Sequence, residues 1–281
     1  MARHILTLTC PDRPGIVHAV SGALLEVGGN IIENAQFGDN DTGLFCMRTE
    51  FDADVELSDP IAAVVAARLG DAAANIVVRR SEHRPRVLIM VSKYDHCLVD
   101  LLYRWKIGEL RVDIPVIVSN HPDCQEIADN EGIPYVHLPV TATTKPQQEQ
   151  ALVRLVKQHD VDLVVLARYM QVLSDSLCEE LSGRAINIHH SFLPGFKGAR
   201  PYHQAHERGV KLVGATAHFV TGELDEGPII EQDVRRVDHA HTADELTMLG
   251  RDTERLVLSR AVSYWAQNRV LLVGRKTVVF P

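Results

Sequence analysis

Five short runs of β-branched and apolar residues recur between residues 86 and 190, and helix-length segments separate them. In order, the runs are RVLIMVS, IPVIVSN, IPYVHLP, VDLVVLA and AINIHH. Strands that are apolar at nearly every position are typical of sheets covered on both faces, and alternation with helices favours parallel pairing. This part of the chain is therefore predicted to fold as an α/β domain with a mostly parallel sheet.

Residues 3–80 show a different order of elements, namely strand, helix, strand, strand, helix, strand. The helix PGIVHAVSGALLEVGG places Ile16, Val20, Ala23 and Val27 on one face at helical spacing, and Pro14 stands near its start. The turn DNDTG separates the two strands that follow. The order βαββαβ predicts a ferredoxin-like domain.

The segment SEHRPR, residues 81–86, interrupts both patterns with a proline and several charges. We place the domain boundary there, which divides the chain into residues 1–83 and residues 84–281. A length of 281 residues is sufficient for one small and one medium domain, each with its own core.

The composition excludes several classes of protein. The formal charge is −8, with 29 Lys and Arg against 37 Asp and Glu, and no dense basic block predicts a nucleic-acid partner. No apolar run reaches the length of a membrane span. The start, MARHILTLTC, alternates like a strand rather than a signal peptide, and the five scattered cysteines suit a reducing compartment, so we expect a cytoplasmic protein.

The most informative polar residues lie in AINIHH and in the later segment GELDEGP. Asn187 and His189 alternate within a strand and so share one face, whereas His190 is expected to point away. Ligands of open α/β sheets bind at the carboxyl ends of strands. An amide donor, a titratable ring and Asp225 to orient that ring are the components that stabilise a tetrahedral oxyanion, so the predicted target is a carbonyl.

Two other interpretations of these residues stay open at this point. An Asn-x-His sequence also serves as a simple strand-end capping arrangement. Histidine spacing offers a metal site as a second alternative, because His203 and His206 stand three apart and His239 and His241 flank an alanine, although no HExxH motif accompanies them.

Residues 187–233, from NIHHSFLPGFKGARP to GPIIEQD, resemble the formyltetrahydrofolate hydrolases (deformylases) of the folate-dependent formyltransferase superfamily. This resemblance implies a Rossmann-like formyltransferase domain that hydrolyses 10-formyltetrahydrofolate to tetrahydrofolate and formate and supplies formate for purine synthesis. It assigns catalysis to Asn187, His189 and Asp225, without a metal or cofactor. The implied folate-binding residues, several of them in DLVVLARYMQVLS, are Arg168, Tyr169, Met170, Gln171, Val172, Thr221 and Leu224.

The N-terminal region, with CPDRPGIVHAVSGALLEVGGNI, resembles an ACT domain, a ferredoxin-like module that commonly pairs with copies of itself and often binds amino acids. The resemblance implies a homo-oligomer, either a dimer or a tetramer. It also suggests an effector loop at Asp12, Arg13, Pro14 and Gly15, where a helix N-terminus receives the carboxylate of methionine or glycine. A dimerisation platform without a ligand is the alternative.

The first loop of the second domain departs from a related pattern. Glycinamide ribonucleotide transformylases hold the phosphate of their acceptor in a glycine-rich loop, but MVSKYDHCLVDLL has no glycine, and Lys93 is a residue of this loop that is able to contact an anion. Water is therefore the expected acceptor. The rivals are a formyltransferase for another acceptor, a catalytically silent folate-binding or regulatory protein, and a histidine-ligated metallohydrolase.

Minor expectations concern the loop after the Asn-x-His sequence. Pro194, Gly195 and Gly198 are expected to shape it, and Lys197 to meet the glutamate tail of the folate. His190 and His203 are expected to border the pocket without a chemical role.

Overall fold

The computed structural model describes residues 2–54, 58–70, 74–195 and 201–281. They form two compact units. The first unit comprises Met1–His83 together with Gln267–Pro281, and the second comprises Arg84–Ala266. Each unit has its own hydrophobic core.

The first unit has the predicted βαββαβ order at its N-terminal side. Its elements are β1 (Ala2–Pro11), α1 (Ile16–Glu26), β2 (Asn30–Asp39), β3 (Leu44–Ala53), α2 (Ser58–Leu69) and β4 (Asn75–Arg80). The strands form an antiparallel sheet in the order β2-β3-β1-β4. The apolar face predicted for α1 is confirmed in part, since Ile16, Val20 and Ala23 are buried and Val27 packs against the same core.

A C-terminal hairpin completes the first unit. It consists of β12 (Val270–Val273) and β13 (Lys276–Val279). Leu271, Val273 and Phe280 form a small buried cluster with Cys46 of β3. The predicted division assigned residues 84–281 to one domain, and the structure differs from it here, because the apolar side chains of the hairpin are buried in the first unit.

The second unit is the predicted α/β domain with a mostly parallel sheet. Its elements are β5 (Arg86–Val91), α3 (His96–Lys106), β6 (Asp113–Ser119), α4 (Gln125–Asn130), β7 (Tyr135–His137), α5 (Lys145–Gln158), β8 (Leu163–Leu166), α6 (Asp175–Glu180), β9 (Ala185–His189), α7 (Pro201–Glu207), β10 (Leu212–Phe219), β11 (Ile229–Arg236) and α8 (Ala243–Ala266). The sheet order is β11-β10-β9-β8-β5-β6-β7. Within the described part of the chain, β10 pairs antiparallel with both β9 and β11, and the other strand pairs of this sheet are parallel.

Parallel pairing brings the chain segments that follow β5, β8 and β9 to one edge of the sheet. β10 returns alongside β9 in the opposite direction, and the register places His218 directly opposite Asn187. The loop between β10 and β11 then carries Asp225 back toward the end of β9. Among the described residues, every helix is too short or too polar to cross a bilayer.

Candidate active site

Asn187, His189 and Asp225 converge on one cavity of about 230 Å³ in the second unit. The two β9 side chains share a face of the sheet, as the alternation predicts. Nδ1 of His189 lies 3.2 Å from Oδ1 of Asp225, so the carboxylate is placed to accept from that nitrogen and fix the orientation of the ring. Held in this orientation, the imidazole lines the cavity.

His218, which the sequence analysis did not single out, fixes the amide of Asn187. Its Nδ1 lies 2.8 Å from the carbonyl oxygen of Phe219, which makes Nδ1 the protonated nitrogen of the neutral ring. Nε2 is then the acceptor for the Asn187 amide, at 3.3 Å. Burial lowers the pKa of His218 and favours this neutral form. Asn187 keeps its second N–H for a ligand.

The electrostatics of the site keep Asp225 ionised. Burial alone would raise the pKa of this carboxyl group, but the hydrogen bond and charge of His189, followed by the charges of His218 and His190, outweigh it and hold the pKa below its ordinary value. An ionised carboxylate accepts a strong hydrogen bond from an imidazole N–H and so holds the ring in one orientation. The pair is therefore suited to donate a hydrogen bond to a developing oxyanion.

The seven residues that the resemblance assigned to folate line the same cavity. They are Arg168, Tyr169, Met170, Gln171, Val172, Thr221 and Leu224. Met170, Val172 and Leu224 are each more than half exposed although apolar, as in an open site for a flat apolar ligand. These three side chains add apolar surface to the cavity that the polar trio also lines.

A buried polar contact holds the backbone of this segment in place. Ser92, at the end of β5, donates a hydrogen bond from Oγ to Oδ1 of Asn120 at 2.7 Å. The same Oγ accepts from the backbone N–H of Met170 at 3.0 Å. Tyr169 is buried, and its hydroxyl accepts from the Gln148 side-chain amide at 3.1 Å, so its phenol is engaged in the core.

Arg168 adopts a left-handed backbone conformation, with φ of 64°, and its side chain is buried. Its guanidinium lies over the ring of Tyr94, and Nε is 3.4 Å from Oε2 of Glu254 on α8. Glu254 also accepts hydrogen bonds from Tyr202 at 2.6 Å and from His96 at 2.7 Å. These contacts hold Arg168, the first of the predicted folate-binding residues, in place.

The same cluster contains a group of side chains that could ligate a metal ion. In the described part of the chain, one group of possible ligands has its atoms within 4.8 Å of one another, and it comprises His96, Cys97 and Glu254. Glu254 already accepts from His96, and burial raises the pKa of the Cys97 thiol, so the group has the contacts of an internal polar network. The histidine pairs with metal-like spacing, His203/His206 and His239/His241, are not part of it.

His190 lines the cavity as well, although the alternation predicted that it would point away. The strand ends at His189, so the two-residue period no longer applies to the next residue. The rings of His189 and His190 meet edge to face, with centroids 4.8 Å apart. His190, which was expected only to border the pocket, therefore lies directly beside His189.

The loop after β9 is held by Thr216, which is fully buried. Its hydroxyl accepts from the N–H of Leu193 and donates to the carbonyl oxygen of Ser191, each at 3.0 Å. A side chain at Gly195 would lie 2.2 Å from the carbonyl oxygen of Phe192, which agrees with the expectation that this glycine shapes the loop. Lys197 and Gly198 lie outside the described residues.

Gly227 gives a first testable consequence. A Cβ there would lie 1.7 Å from the carbonyl oxygen of Phe219, which is backbone and must shift. We expect Gly227→Ala to lower the free energy of unfolding by about 1–3 kcal/mol, as other overpacking changes do. Urea denaturation measures it. Gly22→Ala is the control, because its added methyl group would meet only the guanidinium of Arg68. An unchanged urea midpoint for Gly227→Ala would contradict the expectation.

Acid should destabilise this protein partly through His190. Burial first, and then the charges of Arg168 and His189, lower its pKa from 6.5 to about 4. Between these values the unfolded chain takes up a proton that the folded chain refuses, so stability falls as pH decreases through this window. The loss is on the order of 3 kcal/mol for this group.

Urea denaturation of the wild type and His190→Asn at neutral and acidic pH measures the effect. The variant should lose less stability on acidification, whereas His206→Asn, at an exposed position of α7, should behave like the wild type. An equal loss for His190→Asn and wild type would show that the ring titrates normally in the folded protein.

Comparisons with known proteins agree with this architecture. The fold and the cavity define a formyltransferase-type domain joined to an ACT domain: the family model described as formyl transferase matches residues 85–262, and the ACT domain model matches residues 4–68. Formyltetrahydrofolate deformylases from a Corynebacterium species and from Synechocystis are 48% and 49% identical to this chain. These alignments cover 99% and 98% of this chain, and 98% and 97% of the relatives.

A solved structure shows the same relationship. The crystal structure of formyltetrahydrofolate deformylase from Burkholderia mallei superimposes with a TM-score of 0.94 at 50% identity, and the match covers all of both chains. The chain belongs to the formyltetrahydrofolate deformylase family.

Proposed function

We propose that this protein hydrolyses 10-formyltetrahydrofolate to tetrahydrofolate and formate in the cytoplasm. The observation that carries the proposal is the convergence of Asn187, His189 and Asp225 in the cavity that the predicted folate segment also lines. Relatives with the corresponding name cover nearly the whole chain, which supports the same substrate. The reaction needs no cofactor, since folate is itself the substrate.

In the proposed mechanism, the pterin ring lies against the backbone of residues 168–172 and the formyl group faces β9. As water adds to the formyl carbon, the carbonyl π electrons move to oxygen. The Asn187 amide and the His189 ring donate hydrogen bonds to that oxyanion, and Asp225 stabilises the positive charge on the ring. These donors favour the tetrahedral transition state over the planar formyl group.

The direct test is to incubate the purified protein with 10-formyltetrahydrofolate in a buffer without amines. Formate and tetrahydrofolate should appear in equal amounts. Dependence on an added amine would identify a formyltransferase instead, and binding without turnover would identify a silent folate-binding protein. Full activity after exhaustive treatment with a chelator is expected, because the proposed oxyanion stabilisation uses protein donors only.

For the ACT domain, we propose a homo-oligomer, a dimer or a tetramer, with methionine or glycine as its effector. The proposed loop contains Asp12, Arg13, Pro14 and Gly15, which are exposed, and Gly15 is the N-terminal cap of α1 with φ of 93°. Backbone N–H groups at a helix start favour a carboxylate. Arg13 donates to the carbonyl oxygen of Leu69 and brings a cation to the same loop.

Calorimetric titration of the full-length protein with methionine and with glycine tests this assignment. Saturable binding that Arg13→Ala weakens would support it. If neither amino acid gives a binding heat, the ACT domain would be a dimerisation platform without a ligand. Light scattering would then give the number of subunits.

A further inference from the structure

His190 is a buried histidine of the cavity, and the contacts of one of its ring nitrogens, Nδ1, set it apart. It is 91% buried, since 9% of its surface is exposed, and it lines the cavity beside His189. Its Nδ1 is buried and has no hydrogen-bond partner within the described residues. Leaving such a group unpaired costs about 1–3 kcal/mol, so it indicates a partner that arrives with the ligand.

The other titratable groups of the cavity are already engaged. His218 uses Nδ1 on the carbonyl of Phe219 and Nε2 on Asn187. His189 faces Asp225 through Nδ1, and the Asp225 carboxylate is occupied by that contact. If Asp225 took the proton of the attacking water, it would lose the charge that orients and stabilises the His189 ring.

The charges around His190 keep its imidazole neutral. Arg168 and His189 lower its pKa after burial, and the opposing effects of Glu254 and Asp225 are smaller. Glu254 in turn lies 3.4 Å from the Arg168 guanidinium and fixes that cation behind the cavity. A neutral ring has one unprotonated nitrogen, which accepts a hydrogen bond from water.

We propose that His190 binds the attacking water and serves as the general base of the hydrolysis. This inference rests on the proposed function and deepens it, because it names the group that receives the proton. It also separates the roles of the adjacent histidines: His189 acts on the formyl oxygen, and His190 acts on the nucleophile.

The water oxygen forms a bond to the formyl carbon, the C=O π pair moves to the formyl oxygen, and one water proton passes to the free nitrogen of His190. A lone pair of the oxyanion then re-forms the C=O bond as the C–N10 bond breaks. The electron pair of the broken bond remains on N10, and the proton on His190 passes to that nitrogen. Tetrahydrofolate and formic acid leave, the acid ionises to formate, and His190 is neutral again.

An imidazole that is difficult to protonate is a weak base, and its protonated form is correspondingly a strong acid. The water becomes strongly acidic as its oxygen bonds to carbon, so even a weak base accepts its proton at that stage. The acidity of the protonated His190 ring favours transfer of its proton to N10, an aryl amine nitrogen of low basicity. The burial that lowers proton affinity therefore assists the second half of the cycle.

The test compares water with hydroxylamine as formyl acceptors in the wild type, His190→Ala and His190→Asn. Hydroxylamine is uncharged near neutral pH and attacks without a base. We expect kcat for hydrolysis to fall by about 10²–10⁴-fold in both variants. KM should change by less than about threefold, and formyl transfer to hydroxylamine should fall by less than about tenfold.

Several outcomes would overturn the inference. Hydrolysis that stays within about threefold of wild type would exclude His190 as the base. Equal losses with water and with hydroxylamine would place its role in formyl activation or structure. If His190→Ala fails to fold, His190→Asn still tests the inference, because asparagine keeps a polar side chain at the buried position. His206→Ala is the control at an exposed position and should match the wild type. Absence of hydrolysis by the wild type would contradict the proposed function itself.

Discussion

Replacing Asn187 with alanine should lower kcat for the hydrolysis of 10-formyltetrahydrofolate by about 10²–10³-fold and leave KM nearly unchanged. The amide is expected to donate to the formyl oxygen most strongly once that atom carries negative charge. Its loss therefore raises the free energy of the transition state more than that of the bound substrate. Steady-state kinetics that follow tetrahydrofolate formation measure both constants.

The folded state should tolerate this change, because the partner left behind is the Nε2 of His218 and the emptied volume adjoins an open cavity. A thermal unfolding curve close to that of wild type checks this point. Asn130→Ala, at the exposed end of α4, is the matched control and should retain full activity. Turnover of Asn187→Ala within a few-fold of wild type would remove the amide from the mechanism.

His189→Ala and Asp225→Ala should each lower kcat by about 10³-fold, and the double variant should lose little more than His189→Ala alone. Asp225 acts through the ring that it contacts at 3.2 Å, so its contribution disappears when the ring is absent. The corresponding coupling free energy is about 4 kcal/mol, from 1.36 kcal/mol for each factor of ten. The four kcat values of the double-mutant cycle measure it.

A surface pair of the same residue types provides the control for this cycle. His241 and Asp238 lie 2.8 Å apart at an exposed turn, and their alanine variants should leave kcat unchanged. Multiplicative losses for His189→Ala and Asp225→Ala would show that the two side chains act independently, contrary to the orienting role assigned to the carboxylate.

Much of the site could be predicted from sequence because it depends on local periodicity. The two-residue period of β9 placed Asn187 and His189 on one face. The position of Asp225 on a loop was indicated by the turn-rich segment GELDEGP. The resemblance to a known family supplied the residues around 168–172, which line the same cavity.

The missed features depend on register and on contacts between distant parts of the chain. His218 contacts Asn187 because β10 pairs with β9 in one particular register, which the sequence alone does not fix. Glu254 reaches Arg168 from α8, more than eighty residues away in the chain. The C-terminal hairpin was assigned to the wrong unit because its short apolar run does not show which core buries it.

A crystal structure of the protein with tetrahydrofolate and formate bound would measure the arrangement most directly. We expect the pterin ring against residues 168–172 and the formate carbon among Asn187, His189 and Asp225, with a formate oxygen within hydrogen-bonding distance of the Asn187 amide. Folate bound in another cavity, or formate held away from these three side chains, would contradict it.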